Sequence, residues 1–160
     1  EHMPKPSIFV HRDYHAGNIL WLPERPGFNR AGLLDFQDAV WGPITYDLVS
    51  LLRDCYIAWS ATEVEKWALQ FYEQNDLKQY SREQFIRWFD LMGIQRHLKV
   101  LGIFARLCYR DNKPNYLNDF PRIMNYLLEV CEKYTELNSF KEFLRNLPTP
   151  VMPVGIPASM

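Results

Sequence analysis

Between Ser81 and Arg110, apolar side chains fall on nearly every side of what would be one long helix: Phe85, Trp88, Phe89, Met92, Leu98, Leu101, Phe104 and Leu107. A helix without a polar face belongs in the middle of its domain, with other elements packed round it. Ser81 followed by Gln84 marks its start. The neighbouring segments read as helical too. One helix is expected from about Thr45 to Trp59, with Leu48, Leu51, Leu52 and Cys55 on one face at spacings of three and four. Thr62 and Glu65 form a capping box that opens the next, which carries Trp67, Ala68, Phe71 and Tyr72. Beyond the break at Pro114, Pro121 suits the first turn of a helix running to about Tyr134. Its buried stripe would be Ile123, Tyr126, Leu127 and Val130. A short helix from about Ser139 to Leu147 follows.

Only the residues before Gly42-Pro43 read differently. Ile8-Phe9-Val10 is a β-prone run, and two more short strands are suggested at residues 18–22 and 32–36. Pro23, Pro26 and Gly27 lie between those two, so a hairpin with a Pro/Gly-rich turn is expected. The fold class is therefore mainly α with a small β hairpin (α+β). Residues 1–147 form its one domain. Residues 148–160, with Pro148, Pro150, Pro153 and Pro157, form an extended or disordered tail.

At 160 residues the chain is long enough to bury a real core. Its formal net charge of -1 gives no reason to expect nucleic acid or an anionic membrane as partner. No run approaches the length of apolar sequence that a membrane span needs. Cys55, Cys108 and Cys131 form no CxxC or Cys/His cluster, and read as reduced core thiols in a reducing compartment.

The chemistry concentrates in His11-Arg12-Asp13-Tyr14-His15-Ala16-Gly17-Asn18 and in Leu33-Leu34-Asp35-Phe36-Gln37-Asp38. Phosphoryl transfer needs one carboxylate to orient an acceptor hydroxyl and take its proton. It needs further oxygen ligands for the magnesium that neutralises the nucleotide phosphates. HRDxxxxN followed by an apolar strand ending in Asp supplies that set in that order. The step from Asp13 to Asn18 lets the loop turn back, so that both side chains face one phosphate, and Asp35 returns on the far strand of the hairpin. The alternative makes Asp13 and Asp35 turn residues and His11 a filler. Two acidic residues closing apolar strands would then be a poor choice for a buried turn.

The words HRDYHAGNIL, LLDFQDAVWGPITYDLVSLLRD and GIQRHLKVLGIFARLCYRD carry a resemblance. From about Val10 to Leu137 the chain resembles the C-terminal lobe of the aminoglycoside phosphotransferase-like kinases, relatives of the protein kinases that act on small molecules. Within that group it is most similar to the bacterial anomeric kinases for N-acetylmuramate and N-acetylglucosamine. The resemblance implies a protein-kinase-like C-terminal lobe spanning residues 1–147, with ATP and Mg as cofactors. It implies an amino sugar from cell-wall recycling as acceptor, and a cytoplasmic enzyme. By position it implies Asp13 as catalytic base and Asn18 and Asp35 as metal ligands. His11 and Asp47 would brace the loop, and Asp38 would be a supporting acidic residue near the metal. Gln37 stands where a protein kinase has Gly after Asp-Phe, which argues for a constitutively arranged site.

The resemblance also implies a nucleotide-gripping N-terminal lobe, and that lobe is expected to be absent here. No GxGxxG or GxxxxGK occurs in the chain. The chain alone is expected to turn over little, and its exposed inter-lobe face to favour a dimer. Arg12 and His15 are candidates for a substrate or phosphate contact, and so is Trp41, which follows the metal loop directly. Arg96, Lys99, Arg106 and Arg110 fall within roughly an 80° arc of the long helix. They form either a cationic stripe for an anionic sugar or a solvated face. Two readings stand beside the amino-sugar kinase: a kinase for an aminoglycoside, choline or another small alcohol, and a non-catalytic kinase-like binding module.

Overall fold

In the computed structural model, described here for residues 7–148, two small antiparallel sheets precede five helices. Of the expected 148–160 tail, residues 149–160 lie outside the described residues. Strand β1 (Ser7–Val10) pairs with β4 (Val40–Pro43), and β2 (Ile19–Trp21) pairs with β3 (Ala31–Leu33). The expected hairpin is β2–β3, and its turn holds Gly27 at φ 55, a conformation glycine adopts without cost. Both of its strands are shorter than expected. Asn18 closes a 3-10 turn (Ala16–Asn18) instead of opening β2, and Asp35 lies beyond β3 at φ 62. β4 was not expected, because Val40-Trp41 is too short a run to read as a strand. It forms by pairing with β1 across about thirty residues, with Phe9 opposite Trp41. Phe9 and Trp41 are both exposed.

Helix α1 spans Thr45–Leu52, well short of the expected Trp59. Arg53 leaves helical geometry at φ -121, ψ 52, and the next side chain, Asp54, accepts the Tyr56 N–H at 2.9 Å. A local side chain has outcompeted the helix for that donor. Val49, which is fully buried, leads the packed face, and Cys55 falls beyond the helix. Helix α2 spans Ala61–Gln74, and its capping box lies two residues before the expected one. Ser60 and Glu63 exchange the reciprocal bonds, leaving Thr62 inside the first turn.

The described residues divide into two compact units, one up to Met92 and one from Gly93, and the division falls within helix α3 (Arg82–Tyr109). Ser81 caps α3 by accepting the Gln84 N–H, as the spacing predicts. In the first unit Ile44, Val49, Leu52, Val64, Ala68, Tyr72, Phe85, Phe89 and Met92 form one apolar cluster. In the second, Leu101, Phe104 and Cys108 are buried on α3, while Leu98 is exposed. The α4 (Phe120–Lys133) stripe is Ile123, Tyr126, Leu127 and Val130, as expected, with Cys131 beside it. Helix α5 (Asn138–Arg145) returns along α4, where Lys141 and Arg145 both reach Glu132. No helix of the described residues is long and apolar enough to cross a membrane.

Candidate active site

β1 leads into His11–Asn18 and β4 leads into α1, so their pairing brings the first turn of α1 against that loop. Asp47 makes the contact. Its Oδ2 accepts the His11 N–H at 2.6 Å and its Oδ1 the Arg12 N–H at 3.0 Å. Bonds from backbone donors to an ionised carboxylate are the stronger kind. This grip holds Arg12 at φ 76, a left-handed conformation that costs a residue with a side chain. The Arg12 guanidinium donates to the Asp38 carbonyl at 3.3 Å and so ties the loop to the segment after β3. The His11 ring is buried edge-on to Tyr14, and neither of its nitrogens has a hydrogen-bond partner among the described residues. The backbone of His11 is held by polar bonds, and its ring acts by packing.

The second half of the loop folds on Asp13. Its backbone carbonyl accepts the His15 N–H at 3.1 Å and the Asn18 Nδ2–H at 2.9 Å, leaving the carboxylate out of these bonds. His15 turns back on its own loop: Nδ1 accepts the Gly17 N–H, and Nε2 lies 3.4 Å from Asn18 Nδ2. The Asn18 carbonyl accepts the Leu34 N–H at 3.0 Å, which seats Asp35 one residue beyond a bond to Asn18. Asp35 is exposed, and its Oδ1 accepts from Gln37 Nε2 at 2.7 Å. Asp38 is exposed and contributes its carbonyl to Arg12, and Trp41 stands exposed on β4. The Asn18 amide thus reaches the Asp13 backbone, and the Asn18 carbonyl reaches Leu34 next to Asp35.

Two features were not visible in the sequence. Asp54 is buried, and besides the Tyr56 N–H it accepts the Ala16 N–H at 3.3 Å. Arg53 and Asp90 form a buried ion pair at 2.5 Å, with the guanidinium over the Phe89 ring. Neither has a local motif, because the partners lie 38 and 37 positions apart. Of the other expected features, Arg96, Lys99, Arg106 and Arg110 all fall in the second unit, where Arg110 pairs with its neighbour Asp111 at 2.7 Å. Trp59 and Trp67 meet edge to face and line an apolar cleft of about 400 Å³ between α1 and α2.

The site can be tested for its fit to magnesium. Donation from Nδ2 to the Asp13 carbonyl turns Asn18 so that Oδ1 remains for a cation, and Asp35 keeps Oδ2. Both are the hard oxygen donors that Mg²⁺ takes, and they fit. No group of three or more His, Cys, Asp or Glu among the described residues could hold a metal. Two protein ligands suit an ion that completes its shell with phosphate and water.

Residues 1–86 match the phosphotransferase enzyme family. The chain is 42% identical over 149 residues to an N-acetylmuramate/N-acetylglucosamine kinase of Pseudomonas putida, covering 91% of this chain and 42% of that protein. A protein of the same name from Neisseria meningitidis is 45% identical over 139 residues, 84% of this chain and 40% of its own length. One from Caulobacter vibrioides is 43% identical over 125 residues, 78% of this chain and 34% of its own length. The chain thus spans about two-fifths or less of the length of these curated relatives.

Proposed function

Because the chain belongs to the phosphotransferase enzyme family, we propose that it is the catalytic, kinase-like C-terminal lobe of an amino-sugar kinase acting in the cytoplasm. The reaction is transfer of the γ-phosphoryl group of ATP to the anomeric hydroxyl of N-acetylmuramate or N-acetylglucosamine. The observation that carries this reading is the pair of bonds centred on Asn18, from its Nδ2 to the Asp13 carbonyl and to its own carbonyl from Leu34. They make Asn18 a neighbour of Asp13 and of the chain just before Asp35, and these three residue types supply the set that phosphoryl transfer uses. The names of the relatives support the acceptor class.

In this reading Asp13 orients the sugar hydroxyl and takes its proton as the new O–P bond forms. The bond from the γ-phosphorus to the bridging oxygen breaks, and ADP leaves. Asn18 and Asp35 hold Mg²⁺, which when bound neutralises charge on the transferring phosphates. Asp47 keeps the loop in place through its backbone, and Gln37 steadies the Asp35 carboxylate.

The test is an acceptor panel on the full-length protein with ATP-Mg: N-acetylmuramate, N-acetylglucosamine, an aminoglycoside and choline. Transfer to an amino sugar is expected, with the other two at least about a hundredfold poorer in kcat/KM, the discrimination available to a site that hydrogen-bonds its substrate. Transfer confined to the aminoglycoside or choline keeps the chemistry and overturns the acceptor. No transfer to any of them points to a non-catalytic module.

A further inference from the structure

We infer that Asp54 is a positioning residue for the phosphoryl-transfer loop, an inference that rests on the kinase reading above. Asp47 reaches only the first two residues of that loop, His11 and Arg12. The residues that place Asn18 lie at the other end, in the 3-10 turn Ala16–Asn18. The backbone donor that opens this turn, Ala16 N–H, is bound by Asp54 Oδ2 at 3.3 Å.

Asp54 is itself well fixed. It is 2% exposed, and its other oxygen accepts the Tyr56 N–H at 2.9 Å. That second bond is an Asx turn, which anchors the carboxylate to its own backbone. Tyr56 then sets its ring edge-on to His15, with centroids 5.6 Å apart, on the same half of the loop. The early stop of α1 at Leu52 is what allows this arrangement. Two carboxylates seven positions apart thus clamp the loop, Asp47 at its entry and Asp54 at its exit. At 3.3 Å the Ala16 bond is the longer of the two that Asp54 accepts.

Asp54→Asn keeps the size and the oxygen facing Tyr56 but turns an amide N–H towards the Ala16 N–H. In the full-length protein this variant should lower kcat by about ten- to a hundredfold, the cost of a displacement on the order of 1 Å at the reacting groups. The Mg²⁺ concentration for half-maximal rate should rise with it, because Asn18 loses its register, while the acceptor KM stays within about twofold. A merely structural role would reduce the active fraction without moving the Mg²⁺ dependence.

Ala16→Pro removes the same bond from the donor side at an exposed first-turn position that suits proline. It should show the same Mg²⁺ shift, and the double variant should be no worse than the poorer single one. Amide exchange supplies a readout without turnover: Ala16 should exchange more slowly in the wild type than in Asp54→Asn. Equal Ala16 exchange in the two overturns the inference. So does an Asp54→Asn enzyme with wild-type Mg²⁺ dependence, or a double variant whose losses simply add. If the wild type transfers no phosphate at all, the kinase reading falls first, and Ala16 exchange still reads the clamp.

Discussion

Asp13→Asn lowers kcat for phosphate transfer by about a hundred- to ten-thousandfold, the range that a positioned general base supplies. The acceptor KM moves little, because the side chain keeps its size and can still hydrogen-bond a hydroxyl. What it loses is the ability to take the proton. The variant is a clean one for a reason specific to this loop. The bonds that shape residues 13–18 run to the backbone carbonyl of Asp13, from His15 and from Asn18. They survive a change of side chain, so the loop and the Asn18 amide stay where they are. Steady-state kinetics on the full-length protein, with unfolding followed in parallel, checks the expectation. A kcat within a few-fold of wild type, with folding unchanged, removes Asp13 from the role of base.

The largest stability effect is expected away from the chemistry, at Arg53. Its guanidinium pairs with Asp90 at 2.5 Å, and the two side chains are only 10% and 0% exposed. The Phe89 ring lies against the guanidinium at 4.6 Å. Arg53→Met takes this cation away from a carboxylate that is 0% exposed. Breaking a buried pair in this way costs about 3–5 kcal/mol. In urea, at a slope of about 2 kcal/mol per molar, the midpoint should fall by roughly 1.5–2.5 M. Adding Asp90→Leu should recover part of the loss, because part of the penalty comes from burying a carboxylate deprived of its Arg53 partner. A single variant within about 1 kcal/mol of wild type would show that the site relaxes or hydrates.

What could be read from the sequence was what is encoded locally. The α4 stripe follows from helical spacing, Ser81 caps α3, and the β2–β3 hairpin follows from Pro23, Pro26 and Gly27 between two apolar runs. Asp13, Asn18 and Asp35 stood out because their order and spacing match a chemical requirement. Two of the failures depend on a partner far away in the chain. β4 is a strand only because β1 lies beside it. α1 ends at Leu52 where the Asp54 side chain takes the Tyr56 N–H, a competition between two local structures that spacing alone does not decide. Nothing in the local sequence marks Arg53, whose partner Asp90 lies 37 positions away. The misplaced cap on α2 differs in kind, since Ser60 with Glu63 and Thr62 with Glu65 are both sound boxes and the chain uses the earlier one.

The central claim is that Asp13, Asn18 and Asp35 serve phosphate transfer to the anomeric oxygen of an amino sugar. Phosphorus NMR of full-length protein with ATP-Mg and N-acetylglucosamine tests it most directly. The expected result is a new phosphomonoester signal coupled to the anomeric proton, growing as ATP is consumed and at least about a hundredfold slower with Asp13→Asn. A phosphosugar formed equally well by Asp13→Asn, or ATP consumed with only free phosphate appearing, would contradict it.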